Sequence, residues 1–222
     1  MDSVGGGVVR RIALLGEYNS GKSTLAFTFG KYVEKQGKTV GIANLDPGCK
    51  HLKYSPAFDM RDYYPLAKTM RQEKADEQTA LKHVFSQASA DKEFLKKLHS
   101  TAFDWLLLDV GAGAETFILS EASNFLRKCA DAAIILADAQ ELSGKRDYVA
   151  LGVMTALLEA KSLVKCIGAV NKIDLKQKPL GTLWDYHAHA RKKTLENLAE
   201  KRVIEISALN RHGFKELWEA VK

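Results

Sequence analysis

Long apolar runs, cysteine pairs and proline-rich stretches are all scarce in this sequence. The longest apolar stretches are strand-length, too short to cross a bilayer as a helix. Three cysteines, Cys49, Cys129 and Cys166, are odd in number and lie far apart, which suits reduced thiols better than a disulfide framework. With four prolines in 222 residues there is no low-complexity linker, and no internal repeat is present. The opening stretch MDSVGGGVVRR has no basic start followed by an apolar segment and a small-residue cleavage site. Secretion is therefore not expected, and a cytoplasmic location with no membrane contact is. Charge is not concentrated either: the net +6 favours acidic partners such as phosphates or RNA, but it is spread along the chain and chooses none of them.

What is present is ordinary globular composition, with 46% hydrophobic and 27% charged residues, and a length suited to one sizeable α/β domain over residues 1–222. Hydrophobic periodicity alternates between strand and helix. VVRRIALLG reads as a buried strand, GKSTLAFTFGKYVEKQG as a helix closed by Gly37, and KTVGIANLD as a second strand. A polar loop, PGCKHLKYSPAFDM, leads into an inserted helical segment at about 61–100, read as two helices, Arg61 to Gln72 and Asp76 to His99. FDWLLLDV is a strand, AETFILSEASNFLRKC a helix, DAAIILADA a strand, Ser143 to Leu163 a long helix, and VKCIGAVN a strand. A helix around Thr182 to Glu200, a short strand RVIEIS and a last helix FKELWEAV complete the series. Strands of continuous Val, Ile and Leu separated by helices predict a doubly wound, mostly parallel sheet covered on both faces, the architecture of P-loop NTPases.

The strongest local signal is GEYNSGKST, Gly16 to Thr24, which places Gly16, Gly21, Lys22 and Ser23 at phosphate-loop spacing between a strand and a helix. In that context the backbone N–H groups from Asn19 through Ser20 to Ser23 can wrap phosphate oxygens at the positive end of the helix. Lys22 would reach the β- and γ-phosphates, and the Ser23 hydroxyl would join an oxygen shell around Mg²⁺.

Two stretches farther on address the base. AVNKIDL places Asn171, Lys172 and Asp174 directly after a buried strand and resembles the guanine-specificity motif of GTPases. Asp174 can accept from guanine N1–H and the 2-amino group, the stem of Lys172 can lie on the base, and Asn171 can brace the loop. Adenine lacks those donors and would leave a carboxylate unpaired, at a cost of a few kcal/mol. ISAL, with Ser207, Ala208 and Leu209, resembles the second guanine-contact motif, in which the Ala208 N–H would meet guanine O6.

NLDPGCKHLKYSPAFDMRDYYPL, Asn44 to Leu66, together with the phosphate loop upstream, resembles the GPN-loop GTPases. These are homodimeric or heterodimeric nucleotide switches in the broad group that holds signal-recognition GTPases and MinD-type ATPases. The resemblance continues through DAQELSGKRDYVALGVMTALLEAKSLVKCIGAVNKIDL and ISALNRHGFKELWEAV, so it covers nearly the whole chain. It implies GTP or GDP as ligand, Mg²⁺, a dimer and an unidentified protein partner. It also implies a place for Asp46 beside the γ-phosphate and magnesium. Two departures are plain. The glycine-proline-asparagine loop is absent after MRQ, where the chain reads EKADEQTALKHV. And DVGAGAETF, Asp109 to Phe117, stands where the family reads aspartate, a small residue, proline, glycine, glutamine. Asp109 can still hold a magnesium-bound water, whereas Gly113 has no side chain with which to orient an attacking water. Asp46 is then the remaining group to position or deprotonate it, beside Lys22.

Other clusters weigh less. His187 and His189 are two apart on an expected helix and point to different sides. Cys49 and His51 flank the phosphate region, but one Cys and one His make a thin metal site. His187 to Lys193 could face RNA, although a solvated helix face is the commoner meaning of such a run. The sequence therefore predicts a GTP-binding switch with slow, Mg-dependent hydrolysis. A hydrolysis-deficient binding module and a P-loop kinase acting on nucleic-acid ends are the alternatives.

Overall fold

The computed structural model of the protein describes residues 9–175 and 203–222. Their strands are β1 Arg10–Gly16, β2 Val40–Leu45, β3 Phe58–Asp59, β4 Trp105–Val110, β5 Ala132–Asp138, β6 Lys165–Asn171 and β7 Val203–Glu205. They form one sheet in the order β3-β2-β4-β1-β5-β6-β7, with every neighbouring pair parallel. The helices are α1 Lys22–Glu34, α2 Leu66–Glu73, α3 Glu77–Ala90, α4 Lys92–His99, α5 Ala114–Ile118, α6 Ser123–Cys129, α7 Lys145–Ser162 and α8 Phe214–Val221. This is the doubly wound α/β architecture that the periodicity predicts.

The two faces of the sheet follow from the period of two along each strand. Ile12, Leu14, Leu107, Ile134 and Ile167 point into a core with α1 and α8, where Phe29 meets Phe214 edge to face at 5.4 Å and Trp105 stacks on Trp218 at 4.5 Å. Ala13, Leu15, Leu106, Leu108 and Ile135 point the other way, into a core that takes residues from α2 through α7. Phe85 and Phe94 fill its middle against Phe117 and Phe125.

β4 inserts between β1 and β2, and β5 then pairs on the other side of β1. The strand order therefore reverses beside β1, and the C-terminal end of β1 opens on the crevice where ligands bind in such sheets.

Four local readings change. The expected helix from Arg61 is a single 3₁₀ turn at Met60–Asp62, and α2 begins only at Leu66, after Pro65. The expected helix from Asp76 to His99 breaks at Asp91, whose extended backbone and carboxylate cap α4 by accepting from the Phe94 N–H at 3.0 Å. AETFILSEASNFLRKC is two short helices, α5 and α6, rather than one. The loop after Asp46 ends in the edge strand β3, which a two-residue length hides from any periodicity. The expected helix from Thr182 to Glu200 lies outside the described residues, as do His187, His189 and the basic run to Lys193.

Candidate functional site

Gly16, the last residue of β1, sits level with Leu136 of β5, and the phosphate loop turns from there into α1. Asn19 (φ 63°) and Gly21 (φ 95°) both adopt left-handed backbone, the geometry that turns successive N–H groups toward one point. Gly21 must lack a side chain for a second reason: a Cβ there would overlap the Asn171 amide. Ser23 and Thr24 occupy the first turn of α1, where backbone N–H groups have no intrahelical acceptor and the helix dipole is positive. That turn carries no acidic side chain. The Ser20 hydroxyl is buried with no hydrogen-bond partner among the described residues. Lys22 folds over the loop and donates to the carbonyls of Gly16 at 2.7 Å and Glu17 at 2.8 Å. Burial pushes its pKa down, opposed by the charges of Asp109, Asp46, Glu17 and Glu115.

Asp109, near the end of β4, is 3% exposed. Burial raises its pKa, countered by hydrogen bonds from Ser23 and from Tyr54 and by the nearby Lys22. Asp46 follows β2 directly, and its Oδ1 accepts from the Gly48 N–H at 2.9 Å, an Asx turn that fixes the carboxylate. Asn44, fully buried, receives the Asp46 N–H on its Oδ1 at 3.2 Å and donates to Asp59 at 2.9 Å. Arg61 closes the chain of contacts. Its guanidinium grips Asp59 with Nη2 at 2.5 Å and Nε at 3.0 Å, while Nη1 donates to the Cys49 carbonyl at 3.0 Å. The Asp59 carboxyl is held below its usual range because these bonds outweigh its partial burial. Gly111 admits Asp46 to this position, since a Cβ on it would overlap the Asp46 carboxylate.

These side chains suit a hard cation. Ser23, Asp109 and Asp46 offer only oxygen, and no group of three or more His, Cys, Asp or Glu among the described residues could hold a metal by itself. Mg²⁺ is a hard cation held by one or two protein oxygens together with substrate phosphates and water. Cys49 donates to the His51 backbone carbonyl at 3.2 Å.

At the other end of the crevice, Asn171 is 1% exposed. Its Nδ2 donates to the Ser20 carbonyl at 2.9 Å and its Oδ1 accepts from the Ala208 N–H at 2.9 Å. These two bonds join the phosphate loop to the Ser207–Leu209 turn. The Ala208 N–H, expected to meet a base oxygen, donates here to Asn171. Lys172, with left-handed backbone (φ 64°), donates its ammonium to the buried Asp138 at 2.5 Å. That contact anchors the end of the side chain. Asp174 is exposed in a 3₁₀ turn over Ile173–Leu175. Ser207 is held by the His212 carbonyl at 3.2 Å and caps Asn210 with its hydroxyl at 3.0 Å, and Leu209 is 71% exposed.

Sequence reasoning did not find Tyr54, Asn44, Asp59, Arg61, Asp138, Glu17 or Glu115 as parts of the site. Glu17 lies in the phosphate loop, and its pKa is raised by burial and by Glu115. The Glu115 carboxylate fills the space where a side chain on residue 113 would begin. Only alternation in HLKYSPAF hinted at Tyr54, because Leu52, Tyr54, Pro56 and Phe58 turn inward while their neighbours are exposed.

A family described as "Conserved hypothetical ATP binding protein" matches residues 14–222. GPN-loop GTPase PAB0955 of Pyrococcus abyssi (strain GE5 / Orsay) is 27% identical over 168 residues, 74% of this chain and 67% of the relative. GPN-loop GTPase 3 of Mycosarcoma maydis is 25% identical over 197 residues, 83% of this chain and 68% of the relative. Among solved structures, the crystal structure of PAB0955, a GTPase in apo form, superposes with a TM-score of 0.76 at 24% identity over 96% of each chain. The cell division ATPase MinD of Pyrococcus furiosus does so at 0.51 and 16% identity, over 90% of this chain and 83% of its own. Both superpositions show a shared fold. The family match starts at Leu14 and takes in every residue of the crevice, and the chain belongs to the GPN-loop GTPase family.

Proposed function

We propose that the protein binds GTP with Mg²⁺ and acts as a nucleotide switch with slow hydrolysis. The observation that carries this reading is the pair of hydrogen bonds by which the Asn171 side chain donates to the Ser20 carbonyl and accepts from the Ala208 N–H, linking the phosphate loop to the Ser207–Leu209 turn. The family description speaks of ATP, whereas the two relatives are named GTPases. Asp174 is the residue on which these part. An exposed carboxylate there rewards guanine N1–H and the 2-amino group, and adenine offers neither. Competition between labelled GTP and unlabelled ATP tests this, and equal affinities would overturn the guanine reading.

Within the crevice, the N–H groups from Asn19 to Ser23 and the Lys22 ammonium would stabilise charge on the β- and γ-phosphates. Ser23 and Asp109 would hold Mg²⁺, Asp109 through a bound water, with Asp46 close by. The ion, when bound, neutralises charge between the β- and γ-oxygens. Asp46 would align the attacking water or accept its proton. Turnover should lie below about 1 s⁻¹, the low end of ordinary enzymes. In single-turnover phosphate release, Asp46→Asn should abolish hydrolysis while sparing GTP binding. Full activity in that variant would remove Asp46 from the reaction.

A second reading is a module that signals by occupancy without turnover. It is favoured by Gly113, whose lost side-chain space is taken by Glu115. Phosphate release from the wild type separates the two. No helix among the described residues is long and apolar enough to cross a membrane. We propose in addition a homodimer formed through the loop after Asp46 and the helices between Arg61 and His99. Light scattering that shows a monomer with GDP, GTP and a non-hydrolysable analogue alike would exclude it.

A further inference from the structure

Asp109 is where two loops meet. The phosphate loop reaches it through the Ser23 hydroxyl. The loop between β2 and β3 reaches it through Tyr54, whose hydroxyl donates to Asp109 Oδ2 at 2.8 Å. Asn44 of β2 is the register partner of Asp109 on β4, and Tyr54, in the loop that follows β2, reaches β4 with this bond. The contact is built rather than incidental. The loop that carries Tyr54 is pinned near its start by Arg61 on the Cys49 carbonyl at 3.0 Å and at its end by the Ala57 N–H on the Ile42 carbonyl at 2.7 Å. The ring of Tyr54 is also one wall of a groove of about 390 Å³ that it shares with Phe27, Pro56 and Phe103. Ring and backbone are fixed by packing and pairing, and the hydroxyl is left with one acceptor.

From this we infer that Tyr54 is a positioning residue for the magnesium site: its hydroxyl sets the orientation of the Asp109 carboxylate, and so couples metal affinity to the loop after Asp46. The inference rests on the Mg²⁺ and guanine-nucleotide reading above. A strand-end carboxylate can rotate about its last torsion, and a metal-bound water needs its lone pairs in one direction. Hydroxyls from two separate loops define that direction. Groups that orient a metal's carboxylate from outside typically account for 10–100-fold in metal affinity.

The test is the Mg²⁺ dependence of release of a fluorescent GDP from the full chain, for wild type and Tyr54→Phe. Phenylalanine keeps the ring and its wall of the groove and removes only the donor. The Mg²⁺ concentration that half-slows release should rise about tenfold in the variant, while release with the metal chelated stays the same in the two proteins. An unchanged or lowered half-saturation would overturn the inference, the lowered value because it would mean that Tyr54 competes with the metal. Faster release by the variant even in chelator would overturn it too, since that marks a packing role. If wild-type release ignores Mg²⁺, the magnesium reading itself falls.

Discussion

Two rows of polar side chains cross the C-terminal edge of the sheet, one on each side of β1. On one side Asp59, Asn44 and Asp109 are register partners on β3, β2 and β4. On the other, Asp138 and Asn171 are partners on β5 and β6. The second row is tied down by bonds that leave little to chance: Asn171 is held by backbone groups on two loops and Asp138 by Lys172. The first row belongs to a region where Asp109, Asp46, Glu17 and Glu115 all act on a single ammonium, that of Lys22. The Asn171 side is thus fixed by its own hydrogen bonds. The Lys22 side gathers carboxylates around one ammonium, an arrangement that a bound cation would ease.

The largest test of this contrast is Asn171→Ala. It removes a buried amide and leaves the Ser20 carbonyl and the Ala208 N–H without partners, at about 1–3 kcal/mol each. Unfolding in urea should show a loss on the order of 3 kcal/mol, and nucleotide titration should show phosphate and base recognition lost together. Retained GTP affinity would mean that the base side is not preset.

Gly111→Ala strikes the other side. The added methyl collides with the Asp46 carboxylate, a misfit that costs about 1–3 kcal/mol. Single-turnover hydrolysis should fall while GDP affinity holds, and unchanged hydrolysis would separate Asp46 from the chemistry. Asp174→Asn alters only the base contact. GTP should weaken at least about tenfold, near 1.4 kcal/mol, and xanthosine triphosphate should gain, as read by labelled-nucleotide titration.

The smallest effect is on acid stability. The folded pKa of Asp59 is lowered, so its contribution is present above the unfolded carboxylate value of about 3.9 and is lost as pH falls through the folded value. Urea midpoints measured between about pH 3 and pH 6 should fall less steeply in Asp59→Asn than in the wild type. Equal slopes would show that the Arg61 grip adds nothing in solution.

The phosphate loop and the base segment were legible in the sequence because backbone geometry forces their residue types at fixed offsets. Gly21 leaves room for an amide, Lys22 folds over the loop, and Asn171 bridges from a strand end. The rest of the site depends on which strands become neighbours. Nothing local in FDM announces that Asp59 will stand level with Asn44, or that Tyr54 will reach Asp109 on β4. The break at Asp91 was legible in principle, since an aspartate before Lys-Glu-Phe is a helix-start signal, but the apolar periodicity runs straight through it.

The insertion of β4 between β1 and β2 has a consequence for synthesis. β1 bonds only to β4 and β5 within the sheet, and β2 meets β1 only through β4. A chain emerging from the ribosome at about 5–20 residues per second makes β1 and then waits about 5–20 s for the first strand that can pair with it. During that interval Ile12 and Leu14 can be covered by α1, while Leu15 faces the side that α2, α3 and α4 cover. An early arrest peptide placed before Trp105 would therefore hold the nascent chain with its central strand unpaired, and the bond from Asn171 to the phosphate loop can form only after β6 is made.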